Sequence, residues 1–438
     1  APSIYSGYFT NPSGNGGNDV INTGIGEDSV YGGDGNDNIS AGADNDYVEG
    51  GDGNDTIDGG EGNNELKGGI GDDIIKAGSG NDKIYGGDGK DTITAGDGDN
   101  EIYSEGNDDK VTTGVGDDVI NTGDGNDTVR AGGGGDTISG GLGDDILYGG
   151  GGNDRIIGGE GVDTIYGGDG NDNISVGVGN YSFNDDDESG IQLVDAGAGD
   201  DYIEGRDNQK ILAGSGNDTI YGGFSYLDAG EGDDTVSIPS GGWSPYLVDH
   251  LDGGDGTDTL NLQGNYGATS YGSTDPGQKI INFEKIVFGG GYSHTWNLGS
   301  QAGSQGETII VDASNSYHVN FTSSTLANIT FTGGDGSYGN GGDDVVVLGG
   351  GNDDITLGLG DDTITAGAGN DTIDGGAGID IAIFSGNYAD YSITTSVSGL
   401  SETITISGTD GNDTLTNIET LRFDDGDVDV RPAGRTIK

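Results

Sequence analysis

The chain has 438 residues, with 15 basic against 77 acidic side chains, a net charge of −62, 97 glycines and no cysteine. That charge makes nucleic acid and anionic membrane surfaces poor partners, and the lack of cysteine excludes disulfide staples. No apolar run approaches the ~18 residues of a membrane span, and at 30% hydrophobic the composition alone sits with disordered chains.

Residues 1–13 place Tyr5, Tyr8 and Phe9 among Pro and Gly, and read as a cap over the open edge of whatever follows, or as a docking segment. The start at Ala1 and the absence of Met read as a processed chain.

From Gly14 to Ser175 one nine-residue unit repeats without a slip, giving eighteen units in 162 residues. Two clear copies are Gly32-Gly33-Asp34-Gly35-Asn36-Asp37-Asn38-Ile39-Ser40 and Gly167-Gly168-Asp169-Gly170-Asn171-Asp172-Asn173-Ile174-Ser175. The eighth position is always a branched aliphatic, from Ile21 and Val30 through Leu66 to Ile174. The sixth is Asp19, Asp28, Asp37, Asp46, Asp55, Asp73, Asp82, Asp91, Asp109, Asp118, Asp127, Asp136, Asp145, Asp154, Asp163 and Asp172, with Asn64 and Asn100 in the remaining two units.

A glycine-rich hexapeptide followed by three residues with one central aliphatic predicts a turn and then a short strand. The aliphatic points inward and its neighbours point outward. One strand cannot bury one Ile, so units must stack, two to a coil, into a solenoid. Nine coils at ~4.8 Å spacing make a rod roughly 40 Å long. One row of aliphatics per wall is too thin a core to offset the ordering of so much glycine. The sixth-position carboxylates supply what is missing, because stacking places each over the one two units later. Carboxylate and backbone carbonyl oxygen, with no His or Cys nearby, form a hard-oxygen site that suits calcium better than magnesium. The third-position acids Asp34, Asp52, Asp88, Asp97, Asp124 and Asp169 read as a generic acidic surround. Outward tyrosines fall on one wall at Tyr31, Tyr85 and Tyr103 and on the other at Tyr148 and Tyr166, as cross-strand filler or a contact surface. The unit at Ser104 is degraded, with Asn107 where glycine is expected.

The unit G-G-x-G-x-D-x-U-x resembles the RTX calcium-binding nonapeptide. That resemblance implies an all-β parallel β-roll with calcium between successive turns, held by Asp carboxylates and carbonyls of the first four turn positions. Asp37 and Asp55 would share an ion with carbonyls such as Gly33 and Gly35. Gly51, Gly53, Gly87, Gly89, Gly168 and Gly170 hold the same positions in other units. The sites of Asn64 and Asn100 depart from this pattern, so one edge is expected to bind calcium less evenly.

The register breaks at Val176, where Asp185-Asp186-Asp187-Glu188 lies in an insertion. Residues 176–261 read as an irregular roll, with repeats at Ala196–Glu204, Ala213–Tyr221, Ala229–Ser237 and Gly253–Asn261. Their sixth positions are Asp201, Asp218, Asp234 and Asp258, and inserts bearing Trp243 and Pro245 separate them. Residues 262–338 lose the glycine turns; Lys279–Phe288 and Thr308–Val311 read as strands of a β-rich continuation with a larger apolar core. Trp296, His294 and His318 fall here, the histidines reading as structural. A second roll block at 339–383 carries Asp344, Asp353, Asp362, Asp371 and Asp380. The tail, 384–438, resembles the module that closes RTX arrays in secreted bacterial proteins, through Phe384-Ser385-Gly386-Asn387-Tyr388, Asp390-Tyr391 and Asp413–Glu419 with Phe423. It implies a cap associated with type I export, and Asp413 joins the candidate ligands.

No H-E-x-x-H is present, and three scattered histidines without cysteine offer little for nucleophilic catalysis. The chain therefore reads as a non-enzymatic, secreted, calcium-binding structural protein that folds where calcium is millimolar. It resembles repeat-rich surface-layer and sheath proteins, which implies self-association into a layer, sheath or filament. The alternatives are the non-catalytic RTX portion of a larger secreted enzyme or toxin, and an adhesin whose 262–332 region binds a cell-surface glycan.

Overall fold

The computed structural model describes residues 3–5, 16–177, 192–205, 209–239, 250–263, 279–289, 293–298, 308–314, 316, 318–323, 327–333, 342–398 and 401–430. Tyr8, Phe9, the acidic insert Asp185–Glu188, Trp243 and Pro245 lie outside the described residues, as do the side chains of Trp296, His294 and His318. The chain divides into two compact units, Ala1–Asp218 and Thr219–Lys438, each all-β and each a parallel β-solenoid.

In the first unit strands alternate between two walls. On one wall Asn38–Ala43 pairs with Thr56–Glu61, and that strand with Ile74–Ser79, always in parallel and eighteen residues apart. On the other, Ser29–Asp34 pairs with Tyr47–Asp52, and that strand with Glu65–Ile70. Ser3–Tyr5 pairs in parallel with Val20–Asn22 and so covers the free edge of the first coil. Between Asp172 and Asp201 the coil lengthens from 18 residues to 29, and Leu193 resumes the pairing opposite Thr164.

The expected strand triplet is too short for this unit. Strands such as Thr56–Glu61 run six residues, through the third position of the next repeat, in the pattern exposed, buried, half-buried, buried, half-buried, exposed. The glycine pair continues the ladder (Gly24 opposite Gly42, Gly33 opposite Gly51) because parallel coils in register can satisfy backbone groups there too. The turn proper is confined to positions four to six. The first position consequently points inward beside the eighth, and Ala41, Ala77, Ala95 and Ala131 are fully buried there with Ile39, Ile57, Leu66 and Ile75. Each buried Ile contributes about 1.5–3 kcal/mol relative to exposure.

Outside, Tyr148 stacks on Tyr166 at 4.7 Å and Tyr85 on Tyr103 at 5.5 Å. Tyr31 packs at 5.7 Å on Tyr47, a partner at the seventh position that the ninth-position reading did not include. Lys67 lies over Tyr47 and is paired with Glu65 at 3.1 Å. These are neighbouring-strand contacts on an exposed wall.

The second unit is built in the same way. One wall runs through Lys285–Phe288, Thr308–Asp312, Asn328–Thr332, Asp354–Thr356 and Thr372–Asp374 in parallel. Strands Ser293–Leu298, His318–Ser323, Val345–Val347, Thr363–Thr365 and Ile381–Ile383 form another. The described strands between 279 and 332 are thus built into the solenoid, with bulkier filling: Phe288, Phe321 and Phe331 are fully buried. From Asp354 to Ile383 the strands are the expected triplets. The tail closes the stack. Asn412–Thr416 pairs in parallel with Thr372–Asp374, while the hairpin Ser392–Ser398/Ser401–Ser407 turns the ladder antiparallel. Phe384, Tyr391 and Phe423 pack together, with centroids 5.2–5.7 Å apart.

Candidate metal centre

The sixth-position side chains turn inward from the bends, and Asp37, Asp55, Asp73, Asp91 and Asp145 are 1–2% exposed. Each uses one oxygen to hold the previous coil: the N–H of Asp37 donates to Asp55 Oδ1 at 2.7 Å, Asp55 to Asp73 at 2.7 Å, and Asp127 to Asp145 at 2.8 Å. The second unit repeats the arrangement, with Asp353 donating to Asp371 Oδ1 at 2.9 Å and Asp371 to Asp413 Oδ1 at 3.0 Å. The predicted carboxylates are therefore brought into columns, including Asp413 beyond the last regular repeat.

The other oxygen has no such use. Oδ2 of Asp37, Asp55, Asp73, Asp91, Asp145, Asp163 and, in the second unit, Asp353, Asp362, Asp371 and Asp380 is buried without a hydrogen-bond partner among the described residues. An anionic oxygen left this way is costly. Its surroundings are further oxygens. A Cβ placed on Gly32 would fall 2.4 Å from both Asp37 Oδ2 and the Gly50 carbonyl oxygen. First-position glycine leaves that cradle open.

The two asparagines reveal what the cradle calls for. Asn64 and Asn100 keep the Oδ1 role, accepting from the N–H of Asp46 at 2.9 Å and of Asp82 at 3.0 Å. Their amide nitrogens stand in place of Oδ2 and donate. Asn100 Nδ2 reaches the carbonyls of Gly96 (3.4 Å) and Gly98 (2.9 Å), and Asn64 Nδ2 reaches those of Gly62 (3.2 Å) and Ala77 (3.5 Å). These are positions two and four of the same turn and position one of the next coil. Where aspartate stands, Oδ2 takes that place, and in the unit of Asp37 it lies in one cradle with the Gly50 carbonyl.

Those second- and fourth-position carbonyls correspond to Gly33 and Gly35 in the unit of Asp37. A Cβ on Gly51 (φ 118°) would lie 2.1 Å from the Gly33 oxygen, and one on Gly53 (φ 129°) 2.2 Å from that of Gly35. Glycine is required there for close approach as well as for its left-handed backbone.

Burial raises these carboxyls far above the usual aspartate range, against the backbone N–H that each accepts and reinforced by neighbouring carboxylates. Asp55 is pushed up to about 6, Asp73 to about 7, and Asp145 and Asp380 to about 8. For Asp145 the neighbours include Asp127 and Asp163, one coil before and one coil after. Burial thus opposes the charged form of these carboxyls, and a proton or a cation relieves it. Carboxylate and carbonyl donors suit a hard cation of calcium's size.

In some units a hydroxyl at position one enters the cradle. Thr122 Oγ1 donates to the Gly140 carbonyl at 2.6 Å, Ser104 Oγ to Thr122 O at 3.1 Å, Thr23 Oγ1 to Ala41 O at 2.9 Å, and Thr113 Oγ1 to Ala131 O. Burial still raises Asp127, opposed by the Asp109 N–H and then by the Thr122 hydroxyl.

Two ligand-like carboxylates escaped sequence reasoning. Glu284 Oε2 accepts from Asp258 N and Glu419 Oε2 from Asp380 N, at 2.7 and 2.8 Å, each taking the place of a next-coil aspartate. Neither lies in a nonapeptide; their only signal was position, one coil beyond the last aspartate of a block. The third-position acids Asp34, Asp52, Asp88, Asp97, Asp124 and Asp169 are exposed.

The family model for the RTX calcium-binding nonapeptide repeat (4 copies) matches overlapping stretches from 13 to 182, and again at 205–236, 248–264 and 349–382, more than half of the chain. The chain belongs to this RTX family. No curated protein matches it. The RTX repeats are calcium-binding motifs forming a β-roll, and in this chain their sixth-position carboxylates line the cradles just described. No helix among the described residues is long and apolar enough to cross a membrane.

Proposed function

We propose that this RTX protein is a non-catalytic, extracellular structural protein that calcium folds after export and that self-associates into a surface layer, sheath or filament. The observation carrying it is the column of buried Oδ2 atoms facing carbonyls, as at Asp55 and Asp145, which calcium would neutralise. Calcium would be held by the sixth-position carboxylates with first-, second- and fourth-position carbonyls, cross-linking coil to coil where an ordinary domain has a thick apolar core. Calcium scarcity inside a cell keeps such a chain loose for export, and millimolar calcium outside orders it. Assembly is supported by outward aliphatics on the repeating walls and turns, Ile25 at 71% and Val115 at 63% exposed among them.

Electron microscopy of the purified chain, in millimolar calcium and then with chelator, tests this. Sheets or filaments that dissolve on chelation are expected. Monomers persisting at all calcium levels would defeat the assembly claim and favour the RTX portion of a larger secreted enzyme, toxin or adhesin.

A further inference from the structure

We propose that Asn282-Phe283-Glu284 and Asn417-Ile418-Glu419 are two copies of one calcium-site lid, each completing the last cradle of a carboxylate column with the backbone carbonyl of a left-handed asparagine. This rests on the calcium reading above.

A cradle needs two coils. Asp37 Oδ2 shares the space beside Gly32 with the Gly50 carbonyl of the next coil, and Asp55 of that coil holds the Asp37 N–H. The last aspartate of a column has no nonapeptide after it to provide these two groups. In the second unit one column runs from Asp234 to Asp258 and another from Asp344 through Asp362 to Asp380, linked by N–H to Oδ1 bonds of 2.7–2.9 Å. Oδ2 of both Asp258 and Asp380 is buried without a hydrogen-bond partner among the described residues.

Each lid supplies both groups from three residues, where a regular turn such as Gly50–Asp55 uses six. Neither segment is conspicuous alone, but set side by side by their places in the stack they agree position for position. Asn282 (φ 57°) and Asn417 (φ 54°) stand where a first-position residue would, in a conformation that asparagine tolerates better than most side chains. A Cβ on Gly253 would collide with the Asn282 carbonyl oxygen. One on Gly375 would collide with the Asn417 oxygen and lie 2.8 Å from Asp380 Oδ2, the arrangement seen at Gly32. Asn282 Nδ2 donates to Asp252 Oδ1 and Asn417 Nδ2 to Asp374 Oδ1, both at 2.7 Å, which ties each asparagine to the previous coil. Phe283 and Ile418 follow, buried in the core. Glu284 and Glu419 then hold the N–H of Asp258 and Asp380 through Oε2, the longer side chain reaching from the shortened bend.

Both lids stand where a column stops. Beyond Glu284 the next place is taken by the buried Ile309, and Ile310 N donates to the Glu284 carbonyl at 2.7 Å. Beyond Glu419 the ladder turns antiparallel, Thr420–Phe423 against Gly426–Asp429. The lid lets a column end on a filled site: Asp258 Oδ2 and Asn282 O hold one calcium, Asp380 Oδ2 and Asn417 O the other. Glu284 and Glu419 are positioning residues, acting through the aspartate backbone.

Calcium counting on the full chain by equilibrium dialysis tests this, with hydrogen–deuterium exchange at 418–423 as the local readout. Asn417→Val disfavours the left-handed bend, and should bind one calcium fewer than wild type and lose calcium-dependent protection at 418–423. Asn417→Gly keeps the bend and should keep both. Glu419→Ala should lose the same ion, while Glu419→Gln, whose amide oxygen still accepts from Asp380 N, should retain it. A wild-type count in Asn417→Val, an equal loss in Asn417→Gly, or a loss of several ions overturns the lid. A wild-type chain that takes up no calcium at all overturns the calcium reading on which it rests.

Discussion

The backbone N–H of Asp37 donates to Oδ1 of Asp55 at 2.7 Å, across eighteen residues and one full coil. One carboxylate oxygen thereby belongs to the scaffold, while Oδ2 remains without a hydrogen-bond partner. The division of labour between the two oxygens separates folding from ion capture and makes both testable.

Substituting Asp145 distinguishes the two roles. Asp145→Asn keeps an oxygen to accept from Asp127 N and gains an amide that can donate, as Asn100 does. It should lose about one bound calcium with little loss of calcium-free structure. Asp145→Ala removes the acceptor as well and strands a buried N–H, costing about 1–3 kcal/mol more. Calcium counting and denaturant unfolding of the two variants check this; equal stability would show that Oδ1 has no scaffold role.

Chelation should unfold the roll. The inward face is one row of branched aliphatics per wall beside a row of Gly, Ala, Ser and Thr, and the charge of −62 opposes compaction. Circular dichroism should lose its β signal and scattering should report expansion on adding EDTA, with recovery in calcium.

Acidity should act in opposite directions with and without calcium. Burial lifts Asp55 to about 6 and Asp145 to about 8, from an ordinary 3.8. Between those values the calcium-free folded state binds more protons than the unfolded chain, so its stability falls as pH rises. The contribution is complete below roughly pH 4 and lost through roughly pH 6–8. In EDTA, residual β structure should therefore increase from pH 8 to pH 5. With calcium the proton is the competitor, so the calcium midpoint should fall as pH rises, with proton release on binding seen by calorimetry in buffers of different ionisation enthalpy.

Core and turn should fail differently. Leu147→Ala empties a fully buried position and should cost about 2–5 kcal/mol in calcium. Gly51→Ala would drive a Cβ to 2.1 Å from the Gly33 oxygen at φ 118°, so it should prevent local stacking of that coil even at saturating calcium. Limited proteolysis near Gly51 in the variant, against an intact wild type, reads this out.

The nine-residue period by itself determined the parallel coil, the inward row from Ile21 to Ile174, and the column of aspartates, because a fixed repeat can bury its aliphatic only by stacking in register. Even Asp413, outside the regular blocks, was legible from its place in the tail. The six-residue strands were not. Glycine signals a turn locally, and only the neighbouring coil supplies the partners that extend Gly24 and Gly42 into a ladder. Glu284 and Glu419 were also hidden, since nothing in their own segments marks them; a longer side chain reaches the site only once the stack brings Asp258 and Asp380 alongside. The difference between the two oxygens of one aspartate is likewise tertiary, because the chain eighteen residues earlier claims one and the surrounding carbonyls isolate the other.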